Sequence, residues 1–202
     1  MTLSRRSLAS ISLAPIGLLF AFLIAGCDTP PDRQSFPDIT FQHLPPIRLD
    51  VAQIEIASNY RSADHPDDNG AEYPALPENL VAEWARDRLQ AVGERGQANF
   101  TIVEARAVRV PLPRSSGLNA ALKTEQSDRY DLALTVKLEA GNPISGKSGT
   151  VTETVTRSQT VPENMTLNQR EVVLFNLLDA AMKDLNARLE ASIPQYMGPL
   201  IR

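Results

Sequence analysis

A predominantly apolar stretch runs from Leu8 to Ala25, preceded by Arg5 and Arg6, broken once by Pro15, and ending against Gly26 and Cys27. A positive start, an apolar run and small residues at its end have the form of a secretory signal, which sets residues 1–26 apart from any fold. A retained run of this kind would come near the ~18–20 apolar residues a membrane-spanning helix needs. Past the signal, 176 of the 202 residues remain, enough for one domain with a real core and too few for two. They carry 18 basic and 24 acidic residues, a net charge of −6. Such a balance offers no basic face to nucleic acid or an anionic bilayer. Cys27 is the only cysteine in the chain, so disulfides within it and cysteine-based zinc sites are excluded.

The segment Leu23-Ile24-Ala25-Gly26-Cys27 resembles the lipobox of bacterial lipoproteins. There an aliphatic residue and two small ones precede the cysteine. The resemblance implies cleavage after Gly26 and diacylglycerol on the Cys27 sulfur. In many Gram-negative bacteria it implies three acyl chains, palmitate among them. A single chain binds a bilayer only marginally, whereas several hold it stably. The expected partner at this end is therefore the membrane, through lipidated Cys27, with the domain facing the periplasm. Asp28 resembles the signal that retains lipoproteins in the inner membrane of enteric bacteria, while the outer membrane is the commoner destination. Both readings stay open.

Residues 27–46 include Pro30, Pro31, Pro37, Pro45 and Pro46. Such proline density favours extended polyproline conformation, and residues 28–46 read as a tether reaching ~60 Å at ~3.1 Å per residue. A single domain is expected over 47–193, with 194–202 as a tail. Residues 47–58 read as a strand whose parity switches near Ala52-Gln53, from Ile47, Leu49 and Val51 to Ile54 and Ile56. The spacing of Leu80, Val81, Trp84, Ala85, Leu89 and Val92 predicts a helix over 78–92, with Pro77 in its first turn and Gly93 or Gly96 at its end. Strands are expected at 99–110, at 130–140, where Leu132, Leu134, Val136 and Leu138 alternate with small or polar residues, and at 150–161, a polar edge strand. Between the first two, 111–128 (Leu112, Leu118, Leu122) reads as a loop long enough to be functional. The last helix is expected over 167–192, opened by a capping box of Thr166 and Gln169 and closed by Pro194. Helices on one face of a mostly antiparallel sheet of about four strands give an α+β fold. The order of elements resembles that of the lipopolysaccharide-assembly lipoprotein and of auxiliary lipoproteins of lipid-transport ABC systems. The resemblance spans about 47–193 and rests on order alone.

Three segments invite chemistry. Gly141-Asn142-Pro143-Ile144-Ser145-Gly146-Lys147-Ser148 matches the P-loop pattern. A P-loop needs a helix starting at its lysine, however, and strand-forming Gly149 to Val155 follows. It reads as a hairpin turn, and no nucleotide partner is expected. Asp64 to Gly70 looks like part of a calcium loop. Its first ligand position holds His65 and its twelfth Leu76, so a solvated turn is expected and no metal is assigned. Histidine occurs only at His43 and His65, and no G-x-S-x-G is present, leaving no nucleophile–base device. The carboxylate pairs Glu78/Glu83 and Asp179/Asp184 read as solvated. No catalytic residues, cofactors or nucleic-acid partner are expected, and the chain reads as a non-enzyme.

One hint of a partner is the run 172–182, where nine of eleven residues are apolar. Such a helix is apolar on more than one side. Val173, Phe175 and Met182 are the candidate partner surface, unless the other helix or the 111–128 loop covers it. The first expectation is a lipid-anchored accessory protein of an envelope transport or assembly complex, with an envelope protein as partner. The second is a binder of a hydrophobic ligand, in a cavity near Phe100, Leu134, Phe175 and Leu178. The third is a metal-dependent hydrolase using the 64–70 loop.

Overall fold

The computed structural model describes residues 34–113 and 126–202, which form one compact unit. The signal, Cys27, Asp28, Leu118 and Leu122 lie outside the described residues. The elements are β1 (Ile47–Leu49), β2 (Gln53–Ser58), α1 (Pro77–Arg88), β3 (Leu89–Ala91), β4 (Gln97–Pro111), β5 (Gln126–Asn142), β6 (Lys147–Pro162) and α2 (Leu167–Met197). A four-stranded sheet has the order β2-β4-β5-β6, and β1 and β3 make a separate parallel pair. β2 runs parallel to β4, and the two remaining pairs are antiparallel. The fold is the α+β arrangement expected from the element order.

The parity switch near Ala52 is a change of sheet. Leu49 and Val51 are fully buried, and between them Asp50 N–H donates to Leu200 O at 2.7 Å. Ala52 N–H then donates to Gly96 O at 3.1 Å, and the chain joins β4. The first helix stops four residues early. Leu89 has extended backbone, φ −96° and ψ 128°, and pairs with Ile47 across β1–β3. Its side chain is buried, which satisfies a helical stripe and a strand equally well. Gly96 instead serves a close approach. Its φ is +92°, and a Cβ there would lie 2.4 Å from Gly141 O.

β4 and β5 pair along almost their whole lengths, from Gln97↔Gly141 to Pro111↔Asp128. The strands therefore consume both ends of the expected 111–128 loop, and Leu112 N–H still donates to Ser127 O at 2.8 Å. A register shift between Ile102 and Glu104 inserts Val103. It moves the buried positions of β4 from Phe100 and Ile102 to Ala105 and Ala107. In β5, Leu132, Leu134, Val136 and Leu138 are all buried against the helices, as their alternation predicts. Trp84 of α1 lies over Phe100, ring centroids 5.6 Å apart. Both helices contribute to one core on the same face of the sheet.

The capping box of α2 is present: Gln169 N–H donates to Thr166 Oγ1 at 3.3 Å, and Thr166 N–H to Gln169 Oε1 at 2.9 Å. The helix does not end at Pro194 but runs to Met197. Ile193, Met197 and Leu200 are fully buried, and that burial outweighs the one backbone bond a proline forfeits. The expected tail is thus part of the domain. Arg202 N–H donates to Arg48 O at 3.0 Å, and its guanidinium meets Asp50 Oδ1 at 2.9 Å.

Candidate functional site

Residues 34–46, expected as free tether, are instead bonded to both helices. Phe36 stacks on Phe175 of α2, centroids 4.9 Å apart and planes 21° apart. Phe41 is buried, and its N–H donates to Asp87 Oδ2 at 2.9 Å. Pro45 O accepts from Arg88 Nη1 at 2.7 Å, while Arg88 Nη2 is paired with Glu190. Arg88 is 2% exposed, so this guanidinium clamps arm, α1 and α2 together. A buried charge holds its place only when paired in this way. The signals for docking were the apolar residues Phe36, Ile39, Phe41 and Leu44 among the prolines.

The arm also answers what covers the second side of α2. Met182 is fully buried and belongs to the core rather than to a surface. Phe175 lies beneath Phe36, and Val173 is half-buried against the core. Phe100, Leu134 and Leu178 are fully buried in the core, whereas Phe175 borders a groove at the surface. The concave space beside Phe175 is a groove of about 520 Å³ between the arm and α2, bordered by Ile39, His43, Asp179 and Asn186.

The calcium-like loop is stitched to the sheet where β2 has ended. Asn69 N–H donates to Ala107 O at 2.6 Å, and Asn69 Oδ1 accepts from Arg109 N–H at 2.9 Å. Asp68 accepts from Tyr60 Oη at 2.6 Å, Gly70 N–H at 2.9 Å and Ala107 N–H at 3.2 Å. Burial opposes ionisation of Asp68, but hydrogen bonds from Ser62, Tyr60, Gly70 and Ala107 outweigh it and hold its carboxyl below the usual range. Asp67 pairs with Arg106, and His65 stacks on Tyr60 at 5.0 Å. Asp67, Asp68 and Asn69 thus act as a surrogate strand edge. Among the described residues no three His, Cys, Asp or Glu side chains converge as metal ligands would.

Next to it lies an ionic cluster that the sequence reading missed. Arg109 meets Asp128 in a fork, at 3.0 and 3.2 Å, and Ser127 Oγ donates to the same carboxylate at 2.8 Å. Arg109 lowers the Asp128 carboxyl, against its burial. Tyr130 Oη donates to Glu72 at 2.9 Å. Burial and this bond raise the phenol. The cluster ties the loop, β4, β5 and α2 together. Each of its charges is consumed by a neighbour.

The P-loop-like segment is a hairpin turn. Asn142 and Lys147 form its last strand pair, Gly146 has φ +68°, and Asn142 Oδ1 accepts from Ile144 and Ser145 N–H at 3.1 and 3.3 Å. Lys147 and Ser148 lie in β6, where a phosphate loop begins a helix. Of the carboxylates on the helices, Asp179 pairs with Lys183 and Asp184 with Arg157.

Among the described residues no helix or further sheet covers the sheet face opposite the helices. On it Glu104, Arg106, Arg129, Asp131, Thr156 and Ser158 border a cleft of about 560 Å³. Arg129 pairs with Asp131 at 2.9 Å, and Ser158 Oγ donates to Asp131 at 2.6 Å. Thr135 and Thr154 hydroxyls meet at 3.1 Å. Arg106 pairs with Asp67 of the 59–77 loop, and Glu104 accepts from Thr135 Oγ1 at 3.4 Å, so the face carries charges of both signs. Among the described residues no helix is long and apolar enough to cross a membrane.

No protein-family profile matches the chain, and no curated protein matches it. Several solved structures are similar to it. A minor lipoprotein from Acinetobacter baumannii shares 15% identity over 72% of this chain and 92% of its own, with a TM-score of 0.35. The rare lipoprotein B from Shewanella oneidensis shares 13% over 71% and 98%, with a TM-score of 0.34. An uncharacterized lipoprotein B from Nitrosomonas europaea shares 14% over 68% and 81%, with a TM-score of 0.30.

Proposed function

We propose that this chain is a lipid-anchored, periplasm-facing accessory lipoprotein, not an enzyme, that presents its open sheet face to a protein of an envelope transport or assembly complex. The observation that carries the reading is the docked arm. Because residues 36–45 are bonded to α1 and α2, only residues 28–35 link the lipobox cysteine to the docked arm, a reach of at most ~32 Å. The domain then works close to its membrane, rather than on the long leash its prolines suggest.

The test compares the full-length chain with Cys27→Ser. Metabolic labelling with an alkyne palmitate should mark the first and not the second. Cross-linking in cells should then enrich one envelope complex with the anchored form alone. Equal labelling of both forms removes the anchor from the proposal. Enrichment that ignores the anchor, or that survives charge reversal at Arg129 and Asp131, removes the adaptor role of the open face.

A further inference from the structure

β6 ends the four-stranded sheet, and among the described residues no strand pairs with its outer side. The direction of its backbone groups follows from β4. Ala107 O and Arg109 N–H bond to the 59–77 loop, so both residues turn their backbone away from β5. Alternation through Ala107↔Leu132↔Arg157 and Arg109↔Tyr130↔Gln159 then turns Arg157 and Gln159 toward β5. The intervening residues Thr150, Thr152, Thr154, Thr156, Ser158 and Thr160 turn N–H and C=O to the free edge. Arg188 Nη1, which donates to Thr154 O at 2.9 Å, marks that direction.

Free edges are normally blunted by lysines, prolines, bulges or covering elements. Between Lys147 and Pro162 this strand has none of the first three, and its register is unbroken from Asp128↔Val161 to Asn142↔Lys147. All six outward residues bear exposed hydroxyl side chains. The strand is also close to a palindrome about Val155. Antiparallel pairing of two copies across a twofold at Val155 sets Glu153 of each opposite Arg157 of the other. It sets Thr154 opposite Thr156, and Thr152 opposite Ser158.

We propose that two copies of this chain pair antiparallel through β6, joining their sheets into one of eight strands. The doubled Glu153–Arg157 match selects a second copy over an arbitrary strand. Arg157 and Asp184 side chains are 41% and 40% exposed, so the in-chain pair is open to a further charge. Arg188 is exposed, and the Thr156 N–H of the second copy replaces it on Thr154 O. A shared membrane raises the encounter rate, but the pairing does not require lipidation.

The test uses the full-length protein in its own membrane, with Thr154→Cys and Thr156→Cys chains expressed together and then oxidised. Opposite Cα atoms in a hydrogen-bonded antiparallel pair lie ~5.5 Å apart, within disulfide range. A disulfide dimer is expected from the mixture and not from either variant alone or from the parent bearing only Cys27. Adding Thr152→Pro to both chains removes an N–H that points away from β5. It should abolish the cross-link and leave the far-UV circular dichroism unchanged. No dimer from the mixture overturns the proposal, as does a cross-link that survives Thr152→Pro. Edge cysteines linked to a different protein assign the edge to that protein and overturn it equally.

Discussion

The indole N–H of Trp84 donates to Asn186 Oδ1 at 2.9 Å, inside the core and across 102 residues of chain. Trp84 is fully buried and Asn186 8% exposed. The bond is a polar contact between α1 and α2, and the two helices run in the same direction from it, since Arg88 and Glu190 make a second one turn further on. Asn186→Ala strands the indole donor away from water. A loss of about 1–3 kcal/mol is expected, read from urea unfolding. Trp84 is the only tryptophan, so its fluorescence reports the transition directly.

The stack of Phe36 on Phe175 holds the beginning of the arm. Phe36→Ala should cost about 0.5–1.5 kcal/mol of local stability and little of the global value. Hydrogen exchange should quicken at Phe41 N–H, which is bonded to Asp87, and stay slow at Leu134 in the centre of β5. Equal quickening at both sites would contradict a separately docked arm.

Acid should unfold the domain earlier than its neutral-pH stability suggests. Asp68, held down by hydrogen bonds against burial, and Asp128, held down by Arg109, ionise below their unfolded values. Their contribution is therefore complete above about pH 4 and is lost as pH falls through the native values. Tyr60 and Tyr130 are shifted upward, first by burial and then by Asp68 and Glu72. Their contribution is present below about pH 10 and fades as pH rises beyond it. Melting temperature against pH should show both limbs, and Asp128→Asn should lower the plateau and flatten the acid side.

Gly96 combines φ +92° with a backbone oxygen of Gly141 where a Cβ would sit. Gly96→Ala should cost at least about 1–3 kcal/mol, with the damage at the junction of β2, β4 and β5. Gly146→Ala, with φ +68° but open space around it, should cost less. Thermal unfolding of the two variants side by side measures the difference made by the close approach.

Much of the architecture was legible because it is written in short periods. The alternation of Leu132, Leu134, Val136 and Leu138 and the Thr166–Gln169 box each describe one element by its own residues. Leu89 shows the limit of such reading, since a buried apolar residue at that place fits the end of a helix or the start of a strand. Asp67, Asp68 and Asn69 show it for the site. They read as a solvated turn, but their oxygens are taken up by Tyr60, Gly70, Arg106, Ala107 and Arg109 rather than by water alone.

By itself the sequence determined an α+β domain behind a lipobox-like cysteine, a central strand, an edge strand and a capped final helix. Local periodicity and capping follow from neighbours two to four positions apart. Only the tertiary structure decided that the proline-rich arm docks, that α2 passes through Pro194, that Met182 belongs to the core, and that one buried Arg88 joins three segments. Those outcomes come from burial and pairing between residues some 40 to 100 positions apart, whose energies exceed the local preferences they override.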